Sequence, residues 1–161
     1  MTDTRPETTT SLQPNCKDCF VCGLESPVGL KMRFTDDGVN EVRSVYTVDE
    51  KYQGYPGIVH GGIVAAMLDE AAGRVVLIDN PDRFFVTAKM EIRYRQPVPT
   101  ETELVIIGRL VRDRRRLVEA HGEIRLPDGA VVAEADVILM DIPAEYVGDV
   151  DYEEIGWKVY E

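Results

Sequence analysis

Two kinds of group able to act on a carbonyl sit on one stretch, Gly57 to Ala72 (GIVHGGIVAAMLDEAA). Asp69 and Glu70 follow Ile63 to Leu68, a run that is apolar on every face, the pattern of a helix with protein on all sides. An ionised carboxylate in such surroundings is costly unless it is paired or solvated. Glu70 has Arg74 four residues on, the favourable spacing for an ion pair, and reads as structural. Asp69 has Gly73 at i+4 and Ala65 at i−4, so it lacks a local partner and becomes the candidate for proton transfer or nucleophilic attack. At the other end of the stretch, Gly61 and Gly62 fall in the first helical turn. Backbone N–H groups there have no carbonyl partners, and the helix dipole favours negative charge. Glycine lets a ligand oxygen come close, so this turn suits the oxyanion that develops in acyl transfer.

Spacing then constrains assembly. Gly62 and Asp69 are seven residues apart, roughly 10 Å along a helix. One carbonyl cannot reach both within about 3 Å. If the two groups act together, they come from two copies of the helix in a two-fold dimer with paired composite sites.

The elements that must position this helix follow from alternation and turn signals. Pro27 to Phe34 and Val39 to Val48 read as a hairpin around Asp36-Asp37-Gly38. Residues 51–57 form an irregular loop, and Pro81 bounds the helix near residues 79–82. Four long strands follow, at 84–96, 103–112, 117–126 and 130–142, joined by short turns as an antiparallel meander. The predicted architecture is α+β: an antiparallel sheet of about six strands wrapped around one long central helix. Residues 1–14 (Thr-rich, with Pro6 and Pro14) read as a disordered arm, 15–142 as the domain, and 143–161 as an acidic tail whose aromatic residues dock it on the domain.

A chain of 161 residues suits a single domain with a sizeable core. A net charge of −11 argues against nucleic acid or an anionic membrane as partner. No apolar run is long enough to span a bilayer and no signal-peptide pattern opens the chain, so a cytoplasmic location is expected. Arg112, Arg114, Arg115 and Arg116 form a basic tip that would suit a phosphate-bearing substrate or simply be solvated. Cys16, Cys19 and Cys22 have metal-like spacing. Yet His60 and His121 are the only histidines and neither lies in a ligand-spaced pair, so the cysteines read as free thiols, with no metal and no cofactor expected. A disulfide is not expected in cytosol.

The order of strands and helix, with His60-Gly61-Gly62 opening the helix and Asp69 within it, resembles the hotdog-fold acyl-CoA thioesterases, and most of all their phenylacetate-type (PaaI-like) branch. The likeness covers roughly residues 19–142, and Cys19-Phe20-Val21-Cys22-Gly23 with Ser26 to Leu30 looks like the N-terminal signature of one subgroup. The resemblance implies a homodimer or a dimer of dimers acting on an acyl-CoA substrate. It implies Asp69 as base or nucleophile, Gly61 and Gly62 as oxyanion donors, His60 as shaper of the turn, and Thr87 beside water or substrate. Relatives commonly place Asn or Gln six residues before the histidine. Here that position is Gly54, and Gln53 would have to substitute by a shift of the loop. Arg114 and Arg115 are the expected contacts to substrate phosphate. Thioester hydrolysis is therefore expected, with a non-catalytic acyl-CoA or small aromatic ligand-binding protein as the alternative. A dehydratase fits less well, because His60 and Asp69 lie over two helical turns apart.

Overall fold

The structure, a computed structural model, describes residues 10–161. Seven strands form one antiparallel sheet in the order β1-β2-β3-β5-β6-β7-β4. They are β1 (Ser11–Leu12), β2 (Thr35–Asp36), β3 (Glu41–Thr47), β4 (Phe85–Tyr94), β5 (Glu103–Arg114), β6 (Leu117–Arg125) and β7 (Val131–Asp141). Helix α1 (Gly61–Gly73) lies across one face and runs on into a 3-10 turn, Arg74–Leu77. Among the described residues no helix is long and apolar enough to cross a membrane.

The period-2 pattern of the long strands explains the layering. On β6 each inward residue (Val118, Ala120, Gly122, Ile124) is buried and its neighbours are half-exposed. The helix sits where two glycines face each other across the ladder, Gly108 on β5 and Gly122 on β6. A Cβ on Gly108 would stand 2.0 Å from the Ala71 carbonyl oxygen, so only a bare backbone admits the helix this closely. Met67, Leu68, Ala71 and Ala72 fill the space between helix and sheet, all fully buried.

The structure departs from the sequence reading in three places. Residues 27–34 alternate as expected, with Leu30, Met32 and Phe34 buried. However, Leu30 and Met32 bond to the carbonyls of Phe20 and Val21, loop residues, so only Thr35–Asp36 joins the sheet. Of the arm assigned to residues 1–14, residues 1–9 lie outside the described residues. The remainder is part of the fold: Ser11–Leu12 pairs with β2, and Gln13 is buried with its amide on Asp36. Third, α1 is not enclosed on all sides by its own protomer, since Ile63, Ala65 and Ala66 are only half-buried. The tail forms α2 (Ala144–Val147) and α3 (Tyr152–Ile155), and Trp157 packs edge-on against Phe84 and donates to the Pro81 carbonyl at 3.0 Å.

Candidate active site

The N-terminus of α1 is capped by the residue before it. His60 is extended (φ −56°, ψ 134°), and its Nδ1 accepts the Gly62 N–H at 2.9 Å. Its carbonyl accepts from Ile63 and Val64. The histidine side chain therefore consumes the Gly62 donor, and the expectation that Gly62 faces an oxyanion is corrected. The Gly61 N–H has no acceptor among the described residues. It opens on a cavity of about 530 Å³ whose apolar walls include Ile58, Val64, Tyr94 and Val98, a size suited to a small-molecule group. Tyr94, which carries no signal in sequence beyond its place on a strand, donates its hydroxyl to the Gly61 carbonyl at 2.8 Å.

The loop before the cap does not shift to admit Gln53. Gln53 bridges to Val59, the His60 N–H bonds to the Tyr52 carbonyl, and the Gly54 N–H bonds to the Ile58 carbonyl. These bonds lock the register with Gly54 against His60, where its Cβ position is 3.4 Å from the His60 Cα. Gln53 is exposed and is not among the residues that line the cavity.

Eight residues along the helix, Asp69 is half-buried, and Thr87 of β4 donates to its Oδ1 at 2.5 Å. Its Oδ2 receives no hydrogen bond from a described residue. Glu70 behaves differently: Arg74 Nε donates to its Oε1 at 2.9 Å, inside the fold. Arg74 is held further by the Pro14 carbonyl and by the Phe34 ring. Burial pushes the Glu70 carboxyl up, opposed by the Arg74 charge. Asp69 and Glu70 share a cavity of about 280 Å³ with Thr87, Phe85 and Arg83. Arg114 and Arg115 line neither this cavity nor the one beside Gly61. Arg83 lines the Asp69 cavity together with Arg74, and grips Asp113 with two hydrogen bonds and the Arg115 carbonyl with a third. His121 is paired with Asp136 at 2.8 Å and lines neither cavity.

The same cavity meets the N-terminal cysteines. The thiols of Cys16, Cys19 and Cys22 are free and lie together. Hydrogen bonds from the thiols of Cys16 and Cys22, helped by the backbone N–H groups of Cys22 and Val21, hold Cys19 far below the usual thiol range.

The two cavities have no lining residue in common. Within one protomer, then, the free amide of Gly61 and the carboxylate of Asp69 serve separate spaces. They stand on one helix about 12 Å apart along its axis at 1.5 Å per residue. β4 runs alongside, with Thr87 next to Asp69 and Tyr94 next to Gly61. It is also the free edge of the sheet, pairing only with β7.

Comparison with known proteins agrees with this architecture. Residues 56–133 match the family model of the thioesterase superfamily. Acyl-coenzyme A thioesterase THEM4 of Rattus norvegicus is 34% identical over 92 residues, which cover 56% of this chain and 39% of that protein. The crystal structure of a thioesterase superfamily protein is 31% identical, with a TM-score of 0.69, covering 78% of this chain and 61% of that one. The PaaI protein of E. coli, from the phenylacetic acid degradation operon, is 16% identical with a TM-score of 0.63, covering 71% and 81%, a likeness of fold. The chain thus spans less than two thirds of the length of the first two relatives.

Proposed function

We propose that this chain, whose residues 56–133 match the family model of the thioesterase superfamily and whose sheet and helix form the hotdog fold, hydrolyses an acyl-CoA thioester at a site shared by two protomers. The observation that carries the reading is the placement of Gly61 and Asp69 at opposite ends of a free edge strand. A two-fold axis crossing that edge near Met90 and Glu91 would pair β4 antiparallel with its copy. Thr87 would then lie across from the partner's Tyr94, and Asp69 would approach the partner's Gly61. Such pairing supplies hydrogen bonds to the bare edge of β4. It also covers the half-buried side of α1 left open in one protomer.

In this arrangement the chemistry is an addition and elimination. Thr87 holds Oδ1 of Asp69, leaving Oδ2 to accept a proton from water. The hydroxide adds to the thioester carbonyl carbon. The oxyanion so formed accepts from the Gly61 N–H, at the positive end of the helix dipole. Collapse of the adduct breaks the C–S bond, and the thiolate leaves to take up a proton. The apolar cavity beside Gly61 holds the acyl chain. The acyl-CoA class of substrate is supported by the name of the Rattus relative.

A second reading, a ligand-binding protein without turnover, is favoured by one feature: Gly54 stands against His60 and offers no side-chain amide to hold a lytic water. A panel of acyl-CoA thioesters assayed for free thiol separates the two. Thiol release on at least one member supports hydrolysis. Tight binding across the panel with no release overturns it.

A further inference from the structure

Helix α1 carries a second carboxylate that the proposed hydrolysis does not use, Glu70, and a cluster of three thiols lines the same cavity. We propose that Cys16, Cys19, Cys22 and Glu70 form a tetrahedral zinc site that fastens the N-terminal segment to α1.

The geometry of the sulfurs comes first. All three Sγ atoms lie within 4.8 Å of one another, and Cys16 and Cys22 are 3.8 Å apart. With Zn–S bonds of about 2.3 Å, tetrahedral angles require sulfurs about 3.8 Å apart. The Cys16–Cys22 pair is thus already at that spacing, and Cys19 lies within 4.8 Å of both.

The chain around them is shaped for the same task. The N–H groups of Val21 and Cys22 point at Cys19 Sγ at 3.4 and 3.5 Å, which orients that ligand from outside the cluster. Immediately after Cys22 the backbone folds back, with the Gly23 N–H on the Cys19 carbonyl at 2.8 Å. A Cβ at Gly23 would lie 2.4 Å from that oxygen, so the turn that brings Cys22 beside Cys19 admits only glycine. Asn15 ties the loop down by donating to the carbonyls of Cys22 and Met32.

The fourth donor is one that spacing along the sequence cannot reveal. His60 caps the far end of α1 and His121 is bonded to Asp136, so neither histidine serves. Glu70 places Oε2 4.0 Å from Cys19 Sγ. A tetrahedral ion bound by both would hold them at about 3.5 Å, so this pair closes by about half an ångström, while the Glu70 side chain, which lies outside the 4.8 Å cluster of the three sulfurs, swings further toward the other two on binding. The other oxygen, Oε1, is fixed by Arg74, which also offsets negative charge in the cluster. Arg74 lines the same cavity, and its buried Nη2 has no partner among the described residues. Thiolates held by a metal would provide an acceptor there.

Donor chemistry selects the ion. Three thiolates and one carboxylate in tetrahedral array suit zinc and exclude magnesium and calcium, which take oxygen ligands. On binding, the thiols lose their protons to solvent, and no electron changes hands. The site would anchor residues 15–34, which have little regular structure, and hold the helix turn that presents Asp69. It stands independently of the hydrolysis reading.

The test uses the full chain purified under reducing conditions. Elemental analysis should find one zinc per chain, and cobalt loading should give the visible bands of a tetrahedral thiolate complex. Cys16→Ser, at a half-exposed position, should lose stoichiometric metal while circular dichroism stays unchanged. Glu70→Gln should weaken zinc binding at least tenfold, an order-of-magnitude expectation for disturbing a metal site. Metal-free protein that takes up no cobalt, with three titratable thiols or a Cys16–Cys22 disulfide, overturns the proposal. So does a Cys16→Ser variant that binds zinc as the wild type does.

Discussion

Thr87 Oγ1 donates to Asp69 Oδ1 at 2.5 Å, joining the edge strand to the α1 carboxylate that has no ion-pair partner among the described residues. The bond orients Asp69 toward open space, whereas Glu70, next in the chain, is turned inward to Arg74. Asp69→Asn keeps the shape and the bond but removes the proton acceptor. Turnover of acyl-CoA should fall by about 10²–10⁴ while the melting temperature holds. Thr87→Val should lower kcat about tenfold or more, as expected for loss of a hydrogen bond to a charged group. Thr87→Ser should restore most of it. Wild-type turnover in Thr87→Val with a loss in Thr87→Ser would show that the methyl group, not the hydroxyl, matters.

Gly61 offers an unusual way to delete a backbone donor. It is the first residue of α1, where proline is well tolerated, and His60 before it already has the extended angles that a following proline prefers. Gly61→Pro should therefore fold normally. It should cost about 10²–10³ in kcat, the magnitude seen when an oxyanion donor is removed. Gly62→Ala, whose N–H is committed to His60, should cost far less. Wild-type turnover in Gly61→Pro would eliminate that amide from the mechanism.

The shared site has its own test in mixing two inactive proteins. In a dimer of one Asp69→Asn chain and one Gly61→Pro chain, one composite site is doubly damaged and the other is intact. Random mixing should restore about one quarter of wild-type activity, because half of the dimers are mixed and half of their sites work. Sites confined to single protomers would give no recovery.

Close packing of helix on sheet predicts a graded pair of stability defects. Gly108→Ala drives a methyl group to 2.0 Å from the Ala71 carbonyl oxygen, a backbone atom that cannot swing aside. A loss of about 3 kcal/mol or more is expected, at the upper end for overpacking, which lowers Tm by about 6–12 °C at this chain length. Gly122→Ala meets Leu68 at 3.3 Å, partly a side chain that can yield, and should cost less. Thermal denaturation of both variants checks the order.

Much of this protein was legible from residue types alone. Period-2 alternation located β4 to β7 to within two residues at each end, because a sheet with one buried face forces that pattern. The apolar run and the i+4 spacing identified α1 and separated Asp69 from Glu70, since both are local properties of a helix. Three matters were decided only by tertiary structure. Whether Gly61 or Gly62 keeps a free N–H depends on the rotamer of His60, which no spacing encodes. The loop register that leaves Gln53 off the cavity lining is fixed by bonds across the loop, His60 N–H to the Tyr52 carbonyl and Gly54 N–H to the Ile58 carbonyl. The cysteines at 16–22 find their fourth neighbour at Glu70, across a separation of about fifty residues that folding alone closes. Local pattern determines which element a residue joins; which groups meet depends on packing between elements, and that is where the chemistry of this chain is assembled.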